Sequence, residues 1–125
     1  MTTPRTVVDY LRDILDAAEK AAQFTARMTI DDFIADPKTA FATIRTLEII
    51  GEAAKRIPDS FRAQYPAAPW REMAGMRDKL THEYFGVNLQ VVWKTLQQDL
   101  PTLRPLIAQI LAEVQASNET SEDEL

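Results

Sequence analysis

Residues 36–58 read DPKTAFATIRTLEIIGEAAKRIP, and the way this stretch is bounded decides the fold. Asp36 offers a side-chain acceptor one residue before Pro37, and proline at the first helical position sacrifices no hydrogen bond, because that N–H has no partner within a helix. At the far end Pro58 disfavours helical geometry in the residue before it, so the spacing predicts a helix from Pro37 to Ile57. Phe41, Ile44, Leu47, Ile50, Ala54 and Ile57 recur inside it at three- and four-residue steps, an apolar stripe that must be buried against other elements. Arg45, Glu48, Glu52 and Arg56 form a polar stripe on another face. These read as intrahelical ion pairs, worth about 0.2–0.5 kcal/mol each, or alternatively as a charged wall facing a functional site.

The sequence on either side follows the same helical period. Thr6 and Asp9 have capping-box spacing, and Val7, Tyr10, Leu11, Ile14, Leu15, Ala18 and Ala22 then define a first helix running to about Ala26. Arg12, Asp13, Asp16, Glu19 and Lys20 are its water-facing side. Residues 29–34 read as a short turn whose Phe33 and Ile34 plug one end of the core. After the central helix, three prolines between Pro58 and Pro69 break the chain, and Phe61 and Tyr65 should anchor this connection to the bundle. Trp70 opens a third helix. Its Gly75 costs about 1 kcal/mol relative to alanine, which close helix packing would explain.

Gly86 is a natural helix stop, and Asn88 caps a fourth helix carrying Leu89, Val92, Trp93 and Leu96 on one side. Asp99-Leu100-Pro101 interrupts that helix or starts another, after which Leu103, Leu106, Ile107, Ile110, Leu111 and Val114 form a last stripe. Beyond Gln115 no apolar period remains, and a disordered acidic tail is expected over residues 117–125. The fold class is therefore all-α: an antiparallel four-helix bundle with short extra helices, in one domain over residues 1–116.

The chain has 125 residues, no cysteine and a single histidine, which excludes disulfides and thiolate metal sites. One histidine with no Glu-x-x-His pair leaves no self-contained transition-metal cluster, so no metal and no cofactor is expected. There is neither an apolar signal core after Met1 nor a run of membrane-spanning length, so the protein is expected to be soluble, cytoplasmic and without a membrane partner. The net charge is −5, and nucleic-acid binders are usually basic. Its distribution is uneven: residues 1–37 carry four bases and seven acids, 38–79 eight and five, 80–116 two and three, and 117–125 four acids alone. The one net-positive segment is either a solvated surface or the footprint of an anionic partner.

That segment runs into Arg77-Asp78-Lys79-Leu80-Thr81-His82-Glu83-Tyr84. An imidazole with an unperturbed pKa of about 6.5 exchanges protons at neutral pH, and an arginine forks onto phosphate or carboxylate oxygens. Acid–base chemistry is expected here. On a regular helix, positions 77 and 82 are about 140° apart, whereas 77 and 84 share a face. Arg77 and His82 can meet one phosphate only if the helix frays near Thr81 or if both reach into a shared cleft, for instance at a dimer axis.

The spacing Arg77-x4-His82-x-Tyr84, together with Leu47-Glu-Ile-Ile-Gly-Glu-Ala-Ala-Lys upstream, Pro69-Trp-Arg-Glu-Met-Ala-Gly-Met-Arg-Asp across the third helix and Phe85-Gly-Val-Asn after it, resembles the HepT-like toxins of the HEPN superfamily. The likeness extends from about Val7 to Val114. It implies a HEPN-like bundle acting as a metal-independent endoribonuclease, the toxin of a type VII toxin–antitoxin pair, usually as a homodimer with RNA as substrate. By position it implies that Arg77 binds the scissile phosphate, His82 is general base or acid, and Asp78 orients one of them. Tyr84 resembles the tyrosine to which a cognate nucleotidyltransferase antitoxin of the MntA type adds AMP. Two alternatives stand beside this: a non-catalytic HEPN module that docks a nucleotidyltransferase, and a purely structural role in which Arg77 pairs with Glu48 or Glu52.

Overall fold

The structure, a computed structural model, describes residues 5–81 and 88–123, with side chains described for 5–76 and 88–118. Four long helices form the bundle: α1 (Val7–Phe24), α3 (Pro37–Arg56), α5 (Trp70–Thr81) and α7 (Leu100–Asp123). Three six-residue helices, α2 (Ile30–Ala35), α4 (Asp59–Gln64) and α6 (Leu89–Lys94), lie in the connections. The central helix α3 packs against both α1 and α5, and α1 packs in turn against α7. This is the expected all-α bundle.

Each helix start follows from its local chemistry. Thr6 and Asp9 form a capping box on α1, and Asp36 caps α3 with Pro37 at its first turn. Residues 29–34 are not a bare turn, because Thr29 and Asp32 make a second capping box that nucleates α2. Asn88 accepts from the backbone N–H groups of Gln90 and Val91. At the end of α3 the Arg62 guanidinium reaches back from α4, its Nε donating to the Ile57 carbonyl at 3.0 Å and its Nη2 to the Ala54 carbonyl. Terminal carbonyls without helical partners are thereby satisfied by a cation placed where the helix dipole favours one.

Leu11, Ile14, Phe33, Leu47, Ile50, Ile57, Met73, Val92, Leu100 and Ile107 are fully enclosed. Burying each such side chain stabilises the fold by about 1.5–3 kcal/mol before conformational entropy is counted. Phe61 stacks on Tyr65 with ring centroids 5.0 Å apart and meets Trp70 edge-on at 6.3 Å, so the proline-rich connection is anchored as its aromatics predict.

Several expectations need correcting. Phe41 is 74% exposed and does not belong to the α3 core stripe. It stands four residues before Arg45 and seven before Glu48, which places it on the polar face. Ile34 is 43% exposed while its neighbour Phe33 is buried, since consecutive residues on a helix diverge by about 100°. Gly75 is not a close-packing position: a Cβ built there would meet nothing within 4 Å. Of the two readings of Asp99-Leu100-Pro101, the start of another helix holds, with α7 beginning at Leu100, whereas an interruption does not, because the chain reaches it through a π-helical turn, Thr95–Asp99. Pro101 has no N–H for the carbonyl four residues back and its ring crowds that carbonyl, so the helix widens, and Leu100 N–H bonds the Thr95 carbonyl five residues back.

The end of α7 also differs from expectation. Among the side chains described, Val114 is the last against the core and 116–118 are exposed, yet helical backbone continues through Asp123. A helix already nucleated adds residues at one hydrogen bond each, so its backbone outlasts its packing. The expected stop at Gly86 lies outside the described residues.

Candidate functional site

Of the four residues singled out in the sequence, Arg77 and Asp78 lie on α5, whose backbone is helical through Thr81. Their side chains, and His82 and Tyr84 entirely, lie outside the described residues. The register of α5 nevertheless places position 77. It follows buried Trp70 by seven residues and buried Met73 by four, so its backbone position continues the line that faces the bundle. Position 78 lies one step of about 100° away, towards the side carrying exposed Arg71 and Gly75.

The charged stripe on α3 is organised mainly within the helix. Arg45 Nη1 lies 3.3 Å from Glu48 and 3.6 Å from Glu52, the ion-pair pattern its spacing suggests. Arg45 is well exposed, so this pairing contributes little to stability. Arg56 stands apart from that pairing and instead lines a cavity of about 390 Å³ between α1 and α3, with Arg5, Tyr10, Asp13, Ile49 and Glu52. Arg5 sits 5.2 Å over the Tyr10 ring and holds Asp13 at 2.6 Å. The charges of this cavity are therefore largely spent on one another.

A larger groove of about 630 Å³ opens on the other side of α5. Met73, Gly75 and Met76 form its α5 wall, and the π-helical turn with Leu103 and Leu106 of α7 forms the opposite one. Gly75 was read from sequence as a packing position and proves to be part of this opening, where its missing side chain leaves room. Sequence reasoning missed the groove, because it arises where α5 and α7 diverge. The signal present in the chain was Asp99-Leu100-Pro101, read there as an interruption or a new start and found to be a widening that leads into α7.

Among the described residues no group of three or more histidine, cysteine, aspartate or glutamate side chains is placed to hold a metal ion. No helix among them is long and apolar enough to cross a membrane. Among the described residues two carboxylates have pKa values lowered below the ordinary range, both at helix starts. Asp9 is lowered chiefly by the Thr6 backbone N–H, and Asp36 chiefly by the Thr39 hydroxyl, with the Thr39 backbone N–H next.

Comparison with known proteins bears on the whole chain. The profile of a family described as Ribonuclease HepT-like matches residues 14–110, a span that contains Arg77, Asp78, His82 and Tyr84. A protein of Thermococcus cleftensis named probable ribonuclease HepT is 55% identical over 96 residues, covering 77% of this chain and 87% of the relative. A relative from Caldanaerobacter subterraneus subsp. tengcongensis, whose name assigns it RNase activity provisionally, is 44% identical over 111 residues, 89% of this chain and 96% of its own length. Another from Methanocaldococcus jannaschii, named in the same provisional way, is 41% identical over 112 residues, 90% of this chain and 93% of the relative. No solved structure matches the chain. With a profile spanning most of the bundle and relatives covered over nearly their full length, the chain belongs to the Ribonuclease HepT-like family.

Proposed function

We propose that the protein is a metal-independent endoribonuclease whose reacting groups lie at the end of α5 and just beyond it. The observation that carries this is the pair Arg77 and His82, the only histidine in the chain, at that place in a HepT-like sequence. In this reading the RNA 2′-hydroxyl gives its proton to His82 and attacks the adjacent phosphorus. The bond from phosphorus to the 5′-oxygen breaks, that oxygen takes up a proton, and a 2′,3′-cyclic phosphate remains. Arg77 stabilises the charge that builds on the non-bridging oxygens, and Asp78 orients one of the two groups.

A second copy of the chain brings two such ends into one cleft, which offers a route for Arg77 and His82 to share a phosphate despite their angular separation. Dimerisation also concentrates the net-positive 38–79 segment, which an otherwise acidic chain needs in order to hold RNA. We assign to Tyr84 the regulatory role: a cognate nucleotidyltransferase antitoxin adds AMP to its phenol, and the new phosphate charge competes for Arg77 and blocks RNA.

The deciding experiment is incubation of purified protein with RNA in excess EDTA. Cleavage that persists there, and vanishes in Arg77→Ala and in His82→Ala with melting temperatures within a few degrees of the parent, supports the proposal. Intact RNA in the presence of a folded dimer favours the docking module instead. Unfolding of the Arg77→Ala variant favours a structural arginine. For Tyr84, mass spectrometry after co-expression with the partner enzyme should show added AMP on its peptide; an unmodified peptide from an inactivated toxin means inhibition by binding alone.

A further inference from the structure

The groove between α5 and the π-helical turn has the shape and chemistry of a base-binding site. Its volume of about 630 Å³ falls within the range of small-molecule sites, about 300–1,000 Å³. Its floor is apolar, with Met73, Met76, Leu103 and Leu106. Its polar groups are few and lie on opposite walls: Glu72 on α5, and Gln98, Asp99 and Thr102 on the far side. None of these four side chains is hydrogen-bonded or ion-paired to another described residue, and no lysine or arginine among the described residues lines the groove. The wall that carries Asp99 is the π-helical turn, a distortion that recurs at functional sites.

We infer that this groove is a guanine subsite for the base flanking the scissile phosphate. The inference rests on the ribonuclease reading for its place in the reaction, but not for its chemistry. An apolar floor with two carboxylates, Glu72 and Asp99, and no described cation favours a flat ring whose edge is rich in donors and disfavours a phosphate. Guanine presents N1–H and the N2 amine side by side, so one carboxylate accepts both, whereas adenine, cytosine and uracil offer no such adjacent pair. Asp99 is the group assigned to this edge, with Gln98 and Thr102 left for the remaining base atoms. Thioether side chains supply the polarisable contact with the ring.

Continuity with the proposed cleavage site supports the placement. Position 77 follows Met76 directly and follows Met73 by one helical turn, so the backbone of the proposed phosphate-binding position adjoins the groove's α5 wall. Arg71 on α5, Lys94 at the end of α6 and Arg104 on α7 make no ion pair with other described residues, and they are the cations we assign to the flanking phosphates.

Two measurements test this on the full-length protein. In the first, methionine methyl groups labelled with carbon-13 are followed by NMR during titration with guanosine and, separately, with adenosine. Guanosine should move the Met73 and Met76 methyl signals and leave Met28 in place; adenosine should move none of the three, and Asp99→Asn should abolish the guanosine response. Signals that ignore guanosine, or that move alike for both nucleosides, overturn the inference.

In the second, short RNAs carrying one guanine, inosine or adenine at the cleavage junction are compared. The guanine substrate should be cleaved about tenfold faster or more, as expected for one bidentate base contact, and inosine, which lacks the N2 amine, should lose most of that advantage. Gly75→Leu, a side chain built into open space, should erase the preference without lowering the melting temperature. Cleavage indifferent to the base overturns the subsite and leaves the nuclease proposal standing. Absence of all cleavage, with guanosine still shifting Met73 and Met76, defeats the nuclease proposal and supports a guanine site in the groove.

Discussion

Single residues carry several of the fold's energetic decisions. Arg62 closes the end of α3 through two carbonyls, and a charged hydrogen bond of this kind is worth about 1.5–3 kcal/mol. Arg62→Ala should therefore lower unfolding free energy by about that amount in denaturant titration, whereas Arg45→Ala, whose ion pairs lie at the surface, should change it by less than about 1 kcal/mol. Thr43 is fully buried, and its hydroxyl has no partner among the described residues. Thr43→Val preserves the shape and removes a desolvated polar atom, so it should be neutral or stabilising by about 1 kcal/mol. Gly75→Ala adds a methyl group to open space within a helix and should stabilise by up to about 1 kcal/mol. A loss of stability in that variant would mean that the groove is not open in solution.

At the scale of elements, two helix starts carry a pH dependence. Asp9 and Asp36 have pKa values held below their usual range by the N–H and hydroxyl groups they cap. A carboxylate depressed in the folded state adds stability that is fully present above its unfolded pKa of about 3.9 and is lost as pH falls through the lower native value. The melting temperature should therefore be flat with respect to these groups near neutrality and should fall on acidification below about pH 4. Asp36→Ala should lower it at neutral pH and shrink the acid-induced fall; an unchanged acid limb would place the sensitivity elsewhere. The π-helical turn shows the same logic applied to proline. Pro101 removes a donor, the helix accommodates by widening, and the widened turn becomes a groove wall.

For the whole molecule, the bundle ends where burial ends rather than where helix ends. Residues 116–118 are exposed and helical backbone continues through Asp123, so truncation after Gln115 should leave the melting temperature within a few degrees while the far-ultraviolet helical signal drops. A large loss of stability would show that the acidic end packs on the bundle. Exposed Phe41, on the same face as Arg45 and Glu48, is a surface position for a single chain, and Phe41→Ala should cost within about 0.5 kcal/mol in the monomer.

The sequence by itself determined the helical class, the starts of α1, α3, α5 and α6, and most of the large side chains of the core. Capping boxes, Asp36-Pro37 and the apolar period act within a few residues along the chain, so they can be read without knowing what lies across from them. It also carried the Arg77–Tyr84 stretch and with it the family. What only the tertiary structure decided is which side of a helix finds a partner. Phe41 keeps the apolar spacing yet faces water, Ile34 is excluded where Phe33 is enclosed, and Gly75 borders an opening instead of a contact. Those outcomes depend on how far α5 and α7 diverge and on where α3 turns its faces, distances between elements that no local pattern along the chain encodes.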